Sequence, residues 1–570
     1  MKIKFFFILF LVLFLPITLL AENIVINEFM SDNGSFLKDA DREYPDWIEL
    51  YNAKTDTVNM KGFTLSDDKD FPAKWVFPSI KIPPKSLMVV FVSGKNRKSQ
   101  NELHTNFAID SEGESIYLYD KRGRLIDKTD SVNLREDHSY GRYPDGAERK
   151  LYFLNPTPLV KNVTNDQIIF SKNSGFYPKP FYLELKFLLG DSIYYAYNGK
   201  IPDTSSNLYQ SPFKIKYRYN DTNRFANIPT SPEQKYITYP AWEAPADNIH
   251  KANVIRFASF KNGKLNSRIY SKTFFVDSTI FQRYHLPVVS IITKPENFFD
   301  HYKGIYVPGY YLDSSSMSWS GNYNKRGEAW EKPIHIEYFS TDGELKLEQD
   351  AGVRIHGAGT RVAAQKSLRL YARKEYREKY FNYPMLPDRK QMRYKRILLR
   401  STMCDWDNKQ TMLKDISAHE IIQGMNLEYQ DQKPVVLYLN GEYWGIHVLR
   451  DRIDERYISY LHGVDKDSVR IINGWYYLDG PGKYDRYVNL KNFVENNDLS
   501  LQVNYNYVLS KIDIGSYIDY FIAEMFFANK DWPFSNHKLW IKNEDDAQWR
   551  WIFYDIDAGF SDINRNMFEL

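Results

Sequence analysis

Short apolar runs broken by turn residues govern the first half of the chain. Ile24–Ile26, Trp47–Tyr51, Leu87–Val92 and Ile116–Tyr119 are separated by clusters of Gly, Pro, Asn and Asp. Runs of this length bury as strands, and turn signals at this spacing fold them back on one another, so residues 22–155 are expected to form an all-β sandwich. A second β-rich set lies within residues 160–277, including Phe170–Tyr177, Ile193–Asp203, Ser211–Ile215, Val254–Phe260 and Ser271–Val276. The 44 Tyr and 36 Phe suit strands with half-buried faces. From Leu286 onward, strands mix with helical periods in Met412–Met425 and Ile514–Phe527, which is an α+β layout.

The N-terminus carries Lys2 and Lys4, then an almost continuous apolar stretch from Phe5 to Leu20 and a cleavage point after Ala21. This reads as a signal peptide over residues 1–21, with an uncleaved anchor as the alternative. No later apolar run is long enough to span a bilayer. The expectation is an exported chain, secreted, periplasmic or at the cell surface, with no transmembrane span after cleavage. Cys404 is the only cysteine, so no internal disulfide is available, and it reads as a partly buried free thiol. Basic and acidic residues number 75 and 72, a net charge of +3, which speaks against a nucleic-acid binder.

The chemistry concentrates in the second half. Gly352–Gly359 reads as a strand and turn in which Gly357 and Gly359 let backbone N–H groups approach a phosphate, although a bare hairpin has the same pattern. In Gln365–Tyr371, alternation places Lys366 on the same face as Leu368 and Leu370. A lysine there needs a partner or an anion, unless it lies on an edge where its stem can snorkel. Trp549–Tyr554 reads as a buried strand that ends in Asp555-Ile556-Asp557-Ala558-Gly559, two carboxylates placed for a divalent metal. Asp531 and Asn536 stand five positions apart, and Asp555 follows 24 positions after Asp531. Kinases space a catalytic Asp, a metal-binding Asn and a second metal-binding Asp in this way.

Three resemblances cover most of the chain. Ile26–Phe29, Asp46–Asn52, Gly62–Asp67, Asn106–Ile109 and Gly113–Leu118 resemble the lamin-tail domain, an immunoglobulin-like sandwich. The 160–277 segment resembles the small sandwich at the C-terminus of chitobiase-like enzymes, with Ala196-Tyr197-Asn198-Gly199 departing from the usual Thr-x-Asp-Gly turn. Leu286–Ile291, Gly304–Val307, Gly352–Tyr371, Asn440–Gly445, Asp531–Pro533 and Trp551–Phe560 resemble the spore-coat CotH family over residues 285–570. The fold expected is two all-β immunoglobulin-like sandwiches followed by an α+β atypical protein-kinase-like domain.

The CotH resemblance implies ATP, Mg2+ or Mn2+, and phosphorylation of a secreted or surface protein. It implies Lys366 as the nucleotide-phosphate lysine beside the Gly357 and Gly359 loop, Asp531 as the catalytic residue, and Asn536 and Asp555 as metal ligands, with Asp557 as a further carboxylate. Asp451 stands where the family usually has the Glu that partners the lysine, and its shorter side chain puts that ion pair in question. The chain ends at Leu570, 13 residues after Asp557, where the family continues with a helical portion, so a fragment or a shortened substrate lobe is expected. Two other readings stay open. One is a non-catalytic surface adhesion or scaffold protein with a degenerate kinase-like fold. The other is a metal-dependent glycosyltransferase resting on Asp-x-Asp, which the Lys366 strand and the Asp531/Asn536 spacing disfavour.

Overall fold

A computed structural model describes residues 24–569 except 100, 111–113, 130, 133, 135–136, 149, 154–155, 163–167, 188–191, 387–392, 404–410, 474–484, 534, 561 and 563. The signal peptide and Cys404 lie outside the described residues. The chain forms two compact units, Met1–Thr164 and Asn165–Leu570.

The first unit is a sandwich. One antiparallel sheet runs in the order Lys150–Phe153, Ser139–Arg142, Ile24–Met30, Trp47–Asn52, Leu87–Phe91, and the other in the order Trp75–Val76, Thr64–Ser66, Tyr117–Tyr119, Leu125–Lys128. Strand alternation packs Ile24, Ile26, Ile48, Leu50 and Val90 with Leu65, Trp75 and Leu118 in one core. Past the last strand, Thr157 donates its backbone N–H and its hydroxyl to the buried Glu28 carboxylate at 2.9 and 2.7 Å. Asn162 donates to the Arg142 carbonyl at 2.8 Å. These bonds carry the sandwich beyond the expected boundary at 155.

The second unit joins the middle sandwich to the kinase-like region. The larger sheet of that sandwich has Gly175–Tyr177, Tyr270–Val276, Asn253–Lys261 and Ser192–Tyr197 as successive strands. All seven residues of Tyr270–Val276 are buried because the strand is covered on both faces. Tyr270, Phe274 and Val276 join the sandwich core. Phe275 packs with Val288, Phe339, Val436 and Tyr438 of the following region. A second link is polar: the N–H groups of Arg224, Phe225 and Ala226 donate to the Glu442 carboxylate at 2.6, 2.9 and 2.8 Å. The segments expected as 160–277 and 285–570 thus share a continuous, mostly apolar seam.

That following region opens with a closed seven-stranded barrel. Its strands are β1 (Val288–Ile292), β2 (Lys332–Phe339), β3 (Leu345–Ile355), β4 (Leu368–Tyr371), β5 (Arg396–Arg400), β6 (Gln432–Leu439) and β7 (Glu442–Asp451). They are ordered β1-β2-β3-β4-β5-β7-β6, and β6 closes onto β1 in parallel. Inward-facing Val289, Ile291, Ile336, Val353, Leu368, Leu370, Ile397, Leu399, Val435, Leu437 and Leu449 fill the barrel. After it, β8 (Val469–Asn473), β9 (Lys538–Lys542) and β10 (Arg550–Phe553) make a sheet with the short strand Glu428–Tyr429.

Helix α1 is Lys414–Ile421 and α2 is Ile514–Phe526. The helical period from Met412 is shortened because Met412 and Gly424 take φ of +62° and +89°, outside helical space. Helix α2 starts where the Asp513 carboxylate accepts the Ser516 N–H at 3.0 Å. Trp549, Trp551, Ile552 and Phe553 are buried, so strand β10 has its cover. On α2, Ile514, Ile518, Ile522 and Phe526 are exposed. No helix among the described residues is long and apolar enough to cross a membrane.

Candidate active site

Beyond β10 the chain turns through Asp555 at φ +62°, a region that non-glycine residues enter at a cost and that recurs at functional sites. The turn aims two carboxylates at Arg400, the last residue of β5. Its Nη2 lies 2.7 Å from Asp555 Oδ1 and 3.0 Å from Asp557 Oδ2. Its Nη1 lies 2.6 Å from Oδ2 of Asp415 on α1. Asp415 also pairs with Arg450 of β7 and accepts the Ile556 N–H at 2.9 Å. Burial alone would raise the Asp415 carboxyl, but the charges of Arg400 and Arg450 hold it well below the usual carboxylate range. One buried carboxylate therefore ties α1, two barrel strands and the Asp555–Asp557 turn together.

Asp531 arrives from α2. The Asn529 side chain donates to buried Glu524 at 2.8 Å and accepts the Asp531 N–H at 3.2 Å. Asn536 then bridges the two loops, donating from Nδ2 to Asp531 Oδ2 at 3.2 Å and to the Asp555 carbonyl at 3.4 Å. Burial, then the Asp557 charge, raises the Asp531 carboxyl. The same two causes push the Asp555 carboxyl to about 7. Its side chain still keeps 37% of its surface open, so a solute can reach it. Lys538, the first residue of β9, sits with Nζ 3.9 Å from the Tyr554 ring centre. Burial lowers its ammonium to about 8, against the pull of Asp555.

The structure brings Asp531, Asn536, Asp555 and Asp557 into one cluster. It places the other expected residues elsewhere. Lys366 is fully buried, donates from Nζ to the Ala363 carbonyl at 2.7 Å, and lies over the Tyr323 ring at 4.1 Å. Burial, then the Arg361 charge, holds its ammonium well below its ordinary value. No ion pair links it to Asp451 among the described residues. Asp451 is buried at the end of β7, where its carbonyl accepts from Gln430. The Gly357 and Gly359 loop wraps Arg361, whose guanidinium donates to the carbonyls of Gly357, Tyr323 and Ile355 at 2.7, 2.7 and 2.8 Å. Gly357 has φ +98°, and a Cβ there would meet the Thr360 hydroxyl at 2.5 Å. That glycine serves a tight turn around an internal cation.

Residues 353–569 match the family model described as CotH kinase protein, residues 20–133 match Lamin Tail Domain, and residues 183–274 match Fn3 associated. This is a CotH-like protein with an N-terminal lamin-tail domain. Its CotH match begins within β3 and takes in the whole acidic cluster. The family implies ATP-using kinase chemistry, and both the CotH and lamin-tail families are compatible with extracellular or surface proteins. The middle sandwich of this CotH-like chain carries the Fn3-associated match, in the segment expected to be a chitobiase-type sandwich. No curated protein sequence matches the chain.

Sequence reasoning missed Arg400, Asp415 and Lys538. Arg396-Ile397-Leu398-Leu399-Arg400 alternates as a strand with its charges on one face, and Lys538 follows Asn536 by two positions into an apolar strand. Both signals were present. Asp415 carries no local signal, because its partners come from β5, β7 and the Asp555 turn.

Proposed function

We propose that this chain is an exported atypical kinase that transfers the γ-phosphoryl group of ATP to a hydroxyl of a secreted or surface protein. The observation that carries the reading is the convergence of Asp531, Asn536, Asp555 and Asp557 at the end of β10. Carboxylate and amide oxygens are the donor set that Mg2+ or Mn2+ takes, so the residues fit such an ion. Asp555 and Asp557 would hold it with Asn536, and the ion would neutralise charge on the nucleotide's phosphates. Asp531 orients the acceptor hydroxyl and takes its proton at the carboxylate, a role that its raised pKa suits.

Arg400, anchored through Nη1 by Asp415, uses Nη2 to hold the Asp555 and Asp557 carboxylates in position. Lys538 supplies the second cation, in the role that the resemblance implies for Lys366. Catalysis rests on positioning and charge, as expected for phosphoryl transfer. The test is transfer from γ-labelled ATP with Mn2+ to extracted surface proteins, comparing the wild type with Asp531→Asn. Label that depends on Asp531 supports the reading, and equal labelling by both chains contradicts it.

A further inference from the structure

A second cluster of ligand-bearing side chains lies outside the candidate active site, on the outer face of β2 and β3. His335 and Glu337 stand two apart on β2 and so share a face. Across the ladder His335 pairs with Asp350, and Glu337 pairs with Glu348. An outer barrel face is ordinarily solvated, but here Tyr270–Val276 of the middle sandwich covers it. Lys272 of that strand donates to both Glu348 oxygens at 2.9 and 2.8 Å, and Thr273 and Ser290 hydroxyls meet at 2.8 Å. Glu337 is left with no exposed surface and His335 with 6%.

Three carboxylates, Glu337, Glu348 and Asp350, share this seam with the cations Lys272, Arg256, Arg268 and Arg377, but among the described residues Glu337 is in no ion pair. Lys272 meets Glu348, and Arg377 stands 3.4 Å from Asp350. The Lys272 charge acts on Glu337 without a direct bond. Neither of its oxygens has a partner of normal hydrogen-bond geometry, with only a weak approach from the Ser174 hydroxyl. Burial, opposed by His335 and Lys272 and reinforced by Glu348, raises its carboxyl. A buried carboxylate in this state calls for a proton or a cation.

His335 stands beside it. Its Nδ1 lies 2.9 Å from Asp350 Oδ1, and a carboxylate only accepts, so Nδ1 carries the hydrogen and Nε2 is the ring atom left for a metal. Nε2 has no hydrogen-bond partner and stands 3.7 Å from Glu348 Oε1. A carboxylate behind an imidazole is the support that metal-ligating histidines receive. One donor atom each from His335, Glu337 and Glu348 lies within 4.8 Å of the others. Within that bound, ligand atoms can share an ion at ~2.0–2.2 Å from each.

We propose that His335, Glu337 and Glu348 form a binding site for a divalent transition metal of the Zn2+ type, in the seam between the middle sandwich and the barrel. One imidazole with two carboxylates suits Zn2+ better than Mg2+ or Ca2+, which favour oxygen alone. The other acidic group of this kind, Asp39, Asp41 and Glu43 in the lamin-tail unit, already encloses the Lys95 ammonium. At the seam, the Lys272 ammonium bonds Glu348 but leaves the Glu337 oxygens and His335 Nε2 without a hydrogen-bond partner. The ion would act structurally, fixing the two strands against the sandwich strand whose Lys272 holds Glu348.

The test uses the full chain carrying Asp555→Ala, which removes a carboxylate of the candidate active site from the count. After chelator treatment and dialysis against Zn2+, about one bound equivalent and a raised thermal midpoint are expected. Co2+ in its place should show d–d absorption of a nitrogen- and oxygen-ligated ion. Glu337→Gln keeps the side-chain shape and removes the buried charge, so it should fold while losing the equivalent and the midpoint shift. Asp350→Asn should weaken binding about 10–100-fold. Zn2+ binding that survives Glu337→Gln, or no bound Zn2+ in the Asp555→Ala chain, overturns the site.

Discussion

The barrel carries two carboxylate clusters built from similar residue types, and they meet their charge in opposite ways. At the end of β5, Asp415 lies between Arg400 and Arg450, and Arg400 reaches on to Asp555 and Asp557. On the outer face of β2 and β3, Glu337 lies beside His335 and Glu348 with no cation bonded to it among the described residues. The first cluster is internally compensated and open at Asp555, as suits a site that exchanges solutes. The second is closed, and its bonded cations Lys272 and Arg377 reach Glu348 and Asp350 and leave Glu337 without a direct partner, as suits a resident ion. What distinguishes a site that turns over from one that holds is where the counter-charge comes from.

The contrast can be broken most directly through phosphoryl transfer. Asp531→Asn should cut the transfer rate about a hundred- to ten-thousand-fold while ATP still binds, whereas Glu337→Gln should leave it unchanged. Loss of transfer in both would mean that the clusters act as one. Stability gives the next test. Asp415→Ala leaves Arg400 and Arg450 facing each other without their shared acid, and should cost about 3–5 kcal/mol. Glu337→Gln in chelator should melt no lower than the wild type, and a large drop would show that its charge is already met.

A third test uses pH. Metal must displace the proton from Asp555, whose carboxyl is pushed to about 7. Metal-dependent ATP affinity should therefore fall as pH drops below about 7, approaching tenfold per unit, and level off above it. In Asp557→Asn, loss of the neighbouring charge should move that inflection to lower pH. The smallest effect concerns the two lysines. Lys538→Met should weaken ATP binding, about tenfold for a lost charge-assisted contact. Lys366→Met should change neither ATP affinity nor stability by more than about 1 kcal/mol. The reverse order would restore Lys366 to the phosphate site.

The sandwiches, the α+β change near Leu286 and the acidic cluster were legible because each rests on local pattern. Strand alternation, turn residues and the Asp531/Asn536/Asp555 spacing survive in sequence without knowledge of any distant partner. Lys366 shows the limit. Its alternation with Leu368 and Leu370 correctly gave an apolar face, but a strand pattern does not say whether that face lines a cleft or a closed barrel. The barrel closes through parallel pairing of β1 with β6, residues far apart in the chain. The same applies to Asp415, Arg400 and the Glu337 seam, whose meaning depends on long-range neighbours. The separation expected at 277–285 missed the seam because Phe275 and Lys272 look like ordinary sandwich-strand residues.

Calorimetric titration of residues 22–570 with ATP, with and without Mn2+, beside the Asp555→Ala variant, tests the candidate active site most directly. Metal-dependent ATP binding in the wild type and its loss in the variant is the expected result. A folded wild type that binds no ATP, or a variant that binds it equally well, would contradict the assignment of the Asp531–Asp557 cluster as a nucleotide and metal site.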